Sequence, residues 1–212
     1  MKREKFNLKE EYKKSWKYIK ATRNFIYTVI GIFFLFALFG FFIPAPEFLA
    51  QQILELIEDL LEKTVGMSAT ELIGFIFFNN LKSSFFGMIF GVLIGIFPII
   101  SVVANGYLLG FVGALSVEIG GSSVLLRLLP HGIFELSAVF ISLGMGIKLG
   151  TIIFQKNHRK SFRDYFLNSL RVFLLVVVPH FSYCRNNRRY FNIFFCIKRL
   201  VLYIRILLYE HN

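Results

Sequence analysis

The chain has 212 residues, 56% of them hydrophobic, with 27 Phe and a mean hydropathy of +0.62. A soluble domain of this length cannot hide so much apolar surface, and apolar runs of about 20 residues recur, the length a helix needs to cross a bilayer. The formal net charge is +11, but the basic residues flank apolar runs, which points to membrane topology and lipid head groups and away from nucleic acid.

Residues 1–23 carry nine Lys/Arg against three Glu, interleaved with Phe6, Tyr12, Trp16 and Ile19. The pattern predicts a basic amphipathic helix lying at the membrane surface. Its excess of cations places the N-terminus in the cytoplasm. The segment is too charged for a secretory signal, and no small-residue cleavage site follows the first apolar run. Residues 24–43 form the first span, ended by Pro44 and Pro46. In the stretch that follows, Leu49, Ile53, Leu56, Ile57, Leu60 and Leu61 recur at helical spacing, with Glu55, Glu58, Asp59 and Glu62 on the other side. This predicts an acidic interfacial helix on the outside or a partner-docking face; a plain solvated connector fits the same pattern.

Residues 71–118 are apolar through two passes with almost no loop, and Pro98, the obvious break, predicts a tight hairpin. Gly120, Gly121 and Ser122 supply turn chemistry for a short loop over 119–129. Residues 130–154 make the fourth span. The basic QKNHRKSFRDYF that follows belongs in the cytoplasm, which agrees with four passes begun from inside. A fifth span starts near Asn168 and reaches Pro179. The fold class is therefore all-α: a polytopic transmembrane helical bundle of about five spans with a basic N-terminal helix and an acidic interfacial helix. Three regions follow: an arm over 1–23, a transmembrane domain over 24–179 and an atypical tail over 180–212.

The tail is rich in Tyr, Phe, Ile, Asn, Lys and Arg, residues of AT-rich codons. Back-translating His180 to Tyr190 and reading one nucleotide later permits LIAAIIEG, a continuous membrane helix with one acid. This predicts a shifted reading frame just after Pro179; the alternative is a genuine basic tail on the membrane surface. Cys184 and Cys196 both lie there and support neither a metal site nor a disulfide framework.

Two patterns stand out within the spans. Gly87, Gly91 and Gly95 recur every four residues, as do Gly106 and Gly110, and Gly146 and Gly150. In lipid such faces let helix backbones approach closely. Asn79, Asn80, Lys82, Asn105, His131, Glu135 and Lys148 are costly in hydrocarbon and should face protein or water. Lys148, near the inner end, is placed to snorkel to the interface. Pro130 suits the first turn of a helix, and His131 and Glu135, four residues apart, share one helix face. Three readings compete for LLPHGIFEL. A metal site would need further ligands, since HGIFE lacks the second histidine of HExxH. An ion- or proton-coupling site is consistent with an intramembrane acid. The structural reading makes His131 and Glu135 a hydrogen-bonded pair that meets Asn79, Asn80 and Asn105 in one polar cluster. No catalytic residues, metal or cofactor are assigned.

The NN at 79–80, the glycine run, the NG at 105–106 with Gly110, and PHGIFEL followed by GMGIKLG resemble the stage II sporulation protein M family over about residues 1–179. PHGxxE is the most specific element. The resemblance implies a last helix with an Ile-Ile-Glu element, which the tail as written lacks. It implies a multi-pass membrane scaffold: in spore formers the namesake is a membrane anchor, acting in engulfment, that recruits peptidoglycan-degrading proteins, and relatives occur in bacteria and archaea that make no spores. The leading expectation is thus a non-enzymatic assembly protein of the cell membrane with envelope proteins as partners. The alternative is the membrane subunit of a transporter with a separate ATPase, since no Walker motif is present.

Overall fold

The computed structural model describes residues 7–186; side chains at 61, 69, 119–120, 123–134 and 184–186 lie outside that description. Among the described residues, all regular structure is helical. α1 runs unbroken over Leu8–Phe42. Asn7 caps it, its Oδ1 accepting from the Lys9 backbone N–H at 3.1 Å, and Glu10 and Glu11 occupy the first turn, where a carboxylate complements the helix dipole. Neither Gly nor Pro occurs where the basic arm runs into the span, over residues 20–30, so nothing breaks the helix there. The expected surface helix over 1–23 is thus corrected from Leu8 onward: it is nearly the first half of one long rod. Residues 1–6 lie outside the described residues.

α2 spans Glu47–Thr64. Its Ile53 and Ile57 are buried against Tyr107, Leu108, Phe111 and Val112 of α4, while Glu55, Glu58, Asp59 and Glu62 are exposed. α3 covers Ala69–Ile89 and opens with a capping box, Ser68 and Glu71 each satisfying the other's backbone N–H. α4 is Ile96–Gly120 and α5 is Ser123–Gly150. α6 is His158–Val172, a π-helical turn follows at Phe173–Val177, and α7 continues over Val178–Asn186.

Among the described residues, five helical stretches are long and apolar enough to cross a membrane: Leu8–Phe42, Thr70–Val92, Ile96–Glu118, Glu135–Phe154 and His158–Tyr183. In an 18-residue apolar window of the Glu135–Phe154 stretch 61% of the residues are buried, against 17–28% in the corresponding windows of the other four, so α5 is the hub and the others ring it. One core joins α5 to α3, α6 and α7 through Met88, Met145, Leu149, Val172, Val177 and Phe181. A second joins α5 to α1 and α4 through Val29, Phe33, Val102, Phe140 and Leu143. Large apolar side chains such as Phe34, Leu38, Phe42, Ile100 and Leu174 cover the outward faces, where acyl chains replace water as the solvent.

Three expectations need correction. The reversal between the second and third spans is not at Pro98. It is made by Leu93–Gly95, where Ile94 (φ 58°) and Gly95 (φ 71°) take left-handed conformations; Pro98 sits in the first turn of α4, where its missing N–H costs nothing. Gly95 is therefore a turn residue and leaves the proposed helix stripe. The loop over 119–129 shrinks to a turn at Gly121–Ser122, so Pro130 lies inside α5 and not in its first turn. The helix that carries the fifth span begins at His158, taking in much of the basic stretch, and does not stop at Pro179. An i→i+5 turn immediately before a proline removes the need for its absent N–H and relieves the clash with the preceding turn.

Ile94 is β-branched and left-handed, a conformation that costs about 1–2 kcal/mol, and it is exposed. Ile94→Gly returns that strain against about 0.5–1 kcal/mol of added unfolded-chain entropy. The expected result is a melting midpoint in detergent raised by a few degrees; an unchanged or lowered midpoint would speak against strain at this turn.

Candidate functional site

The polar residues at membrane depth separate into distinct pairings. Asn80 on α3 donates from Nδ2 to Glu135 Oε2 on α5 at 2.9 Å, and Glu135 is only 9% exposed. The amide–carboxylate bond ties the second span to the hub helix. Two residues along α5, Ser137 Oγ lies 2.9 Å from His180 Nε2 on α7, tying the last helix to the hub from another side. His180 and the buried Phe181, whose ring meets Phe77 edge-on, belong to the stretch assigned to the atypical tail. The bundle therefore continues at least through Phe181. Residues 187–212 lie outside the described residues.

The five-residue cluster does not assemble as one group. Asn79 is exposed on α3. Asn105 is exposed and turns back on its own helix, donating to Ser101 O at 2.7 Å and meeting Ser101 Oγ at 3.4 Å. That back-bond satisfies an amide within one helix, so it has no need to travel to Glu135. His131 lies in the helical backbone of α5, but its side chain is outside the described residues. Lys82 is exposed.

Lys148 does not snorkel outward. It is 8% exposed, and its Nζ donates to Thr22 Oγ1 at 3.1 Å and Ala21 O at 3.3 Å. The ammonium lies 4.2 Å from the centroid of the Tyr18 ring and 5.2 Å from that of Tyr165, within cation–π range. Tyr18 Oη in turn meets Ser169 Oγ at 3.2 Å and donates to Tyr165 O at 3.3 Å. One cation thus binds α1, α5 and α6 together near the end of the bundle that carries the N-terminus.

The glycines set the distances between backbones. A Cβ at Gly106 would stand 2.5 Å from Phe33 O, at Gly110 2.0 Å from Ala37 O, and at Gly40 2.3 Å from Tyr107 O, so α1 and α4 cross with no room for a side chain. A Cβ at Gly91 would stand 2.1 Å from the Gly146 carbonyl oxygen, and one at Gly150 would stand 2.2 Å from the Gly95 nitrogen. A Cβ at Gly87 would stand 2.5 Å from Leu143 Cδ2. Gly40 and Gly144 join this set, although sequence spacing did not single them out.

Apart from the Asn105–Ser101 back-bond, each polar pairing above bridges two or three helices. Among the described residues no three His, Cys, Asp or Glu side chains converge as metal ligands.

The comparisons with known proteins bear on the same segment. The family described as Stage II sporulation protein M matches residues 29–183, which takes in both glycine crossings, the Asn80–Glu135 bond and the Ser137–His180 bond. No curated protein matches the chain, and no solved structure does. The match covers well over half of the sequence: this multi-pass, membrane-type helical bundle belongs to the stage II sporulation protein M family.

Proposed function

We propose that the chain is a non-enzymatic membrane scaffold. It sits in the cell membrane with its N-terminus in the cytoplasm and anchors an envelope-remodelling or other membrane complex. The observation that carries this reading is the use of the buried and half-buried polar groups. Glu135, Ser137, His180 and Lys148 are each engaged in holding one helix to another. The exposed acidic side of α2 and the exposed lysines of α1 offer docking faces of opposite sign at opposite ends of the bundle. The orientation is supported by the nine Lys/Arg among residues 1–23.

A transporter subunit is the second reading, favoured by one observation: a carboxylate, Glu135, is buried in a membrane-spanning helix. Glu135→Gln separates the two. The measurement is recovery of the N-terminally tagged protein and its partners from native membranes in gentle detergent. A scaffold whose joint is weakened loses abundance and partners together. A variant recovered at full level with its partners intact and an ATPase among them would move the assignment to transport.

A further inference from the structure

We infer that the cleft between α1 and α6, at the N-terminal end of the bundle, is a binding site for the phosphate of an anionic phospholipid. The cleft has a volume of about 270 Å³ and is lined by Lys14, Lys17, Tyr18, Ala21, Asn168 and Arg171. The helical repeat builds it: 14, 17, 18 and 21 fall on one stripe of α1, and 168 and 171 on one stripe of α6. Its size is close to the lower end of small-ligand sites, about 300 Å³, enough for a phosphodiester head group.

The charge favours an anion. Glu11 is the carboxylate at the rim; its Oε1 accepts from Lys14 Nζ and its Oε2 from Arg171 Nε, each at 2.6 Å. Arg171 also donates from Nη1 to Asn168 Oδ1, which holds the guanidinium at the cleft wall. Lys17 has no ion-pair partner among the described residues. Three cations against one carboxylate leave an excess of two positive charges around the cleft, with the Lys148 ammonium buried behind Tyr18. A phosphate oxygen is the acceptor that an Arg–Lys pair of this kind fits.

The depth selects a lipid over a soluble anion. Arg171 immediately precedes the apolar run VFLLVVV of the last span. Tyr18, bonded to Ser169 and Tyr165, puts Lys17 and Lys14 beside the segment of α6 that ends at Arg171. The head-group region is roughly 5–8 Å deep on each side of the hydrocarbon, and one to two helical turns, about 5–10 Å, separate Ala21 from Lys17 and Lys14. Exposed Trp16 and Tyr12 on the same arm suit the interfacial belt. Basic pockets between membrane helices at this level are head-group sites by the same electrostatics. The inference does not depend on the scaffold reading.

The test is native mass spectrometry of the full-length protein in detergent, supplied with phosphatidylglycerol or phosphatidylcholine. The wild type should retain phosphatidylglycerol over phosphatidylcholine. Lys17→Gln should weaken retention about fivefold, the effect of one surface cation, and Arg171→Gln by at least as much. Lys13→Gln removes the same charge from an exposed position of α1 outside the cleft and should change nothing. Arg171→Gln also releases Glu11 and can disturb folding, so Lys17→Gln, which breaks no bond, carries the decision. Equal losses in Lys13→Gln and Lys17→Gln would reduce the cleft to general surface attraction and overturn the inference. So would equal retention of the two lipids. Displacement of phosphatidylglycerol by a few millimolar inorganic phosphate would assign the cleft to free phosphate and overturn the lipid source.

Discussion

Gly110→Leu should leave little assembled protein in the membrane. The α1–α4 crossing puts the Gly110 Cβ position 2.0 Å from Ala37 O, with Phe41 N at 2.8 Å. The obstacle is backbone on a continuous helix, so no rotamer change can clear it, and α1 and α4 must move apart. Separation also uncovers Gly106 against Phe33 and Gly40 against Tyr107, because the three contacts form one seam. Overpacking typically costs about 1–3 kcal/mol where neighbours can shift; a rigid seam puts this case at or above the top of that range. Even Gly110→Ala should lower the melting midpoint in detergent. Gly31→Leu provides the control, since nothing lies within 4 Å of its Cβ position on the outward side of α1. It should express and melt as the wild type does. Equal behaviour of the 110 and 31 variants would mean that the crossing is looser than described.

The second large effect is expected at the Asn80–Glu135 joint. Asn80→Leu removes a donor from a buried carboxylate, and hydrogen bonds to charged groups contribute about 1.5–3 kcal/mol. Hydrogen bonds between membrane helices average nearer 0.6 kcal/mol, with a maximum of about 1.7, because the separated helices also find partners. Charge and burial place this bond at the upper end of the membrane range, about 1.5 kcal/mol. The informative quantity is the coupling in a double-mutant cycle of Asn80→Leu and Glu135→Leu, read from unfolding in detergent. Each single variant should destabilise, and the double variant by clearly less than their sum. Additive effects would show that the two side chains do not act together and would leave Glu135 to another role.

Much of the architecture was readable from the sequence because lipid imposes strict lengths. A run of apolar residues has to be a helix of about the bilayer's thickness, so the number of spans and the acidic character of α2 followed from residue order alone. Turn positions were harder. Pro98 reads equally well as the end of one helix or the first turn of the next, and only the left-handed pair Ile94–Gly95 shows which applies. The glycine spacing correctly suggested close backbones, yet spacing alone does not distinguish Gly91, pressed on Gly146, from Gly95, which makes the turn.

Side-chain pairing was the least legible level. Asn80 and Glu135 are far apart in sequence, and their meeting depends on how α3 rotates about its own axis. Asn105 looked like a member of the same cluster because an amide in hydrocarbon needs a partner; a serine one turn earlier already supplies one. His180 falls in a compositionally unusual stretch, and no local pattern connects it to Ser137. Lys148 lies at a depth where outward snorkelling is usual, and what turns it inward is a pair of tyrosine rings on α1 and α6 that no local pattern connects to it.

The unbroken α1 has a mechanical consequence. Its 35 residues make a rod of about 52 Å, while the hydrocarbon layer is only about 30 Å thick. The surplus forms a stiff lever whose far end is wedged between α4 and α5 and whose lysine-bearing end is fastened to α6 through Tyr18–Ser169 and Glu11–Arg171. With no hinge along its length, a force applied to the arm is not absorbed locally. It arrives as tilt or twist at the glycine seam, so whatever grips the arm also grips the packing of the bundle.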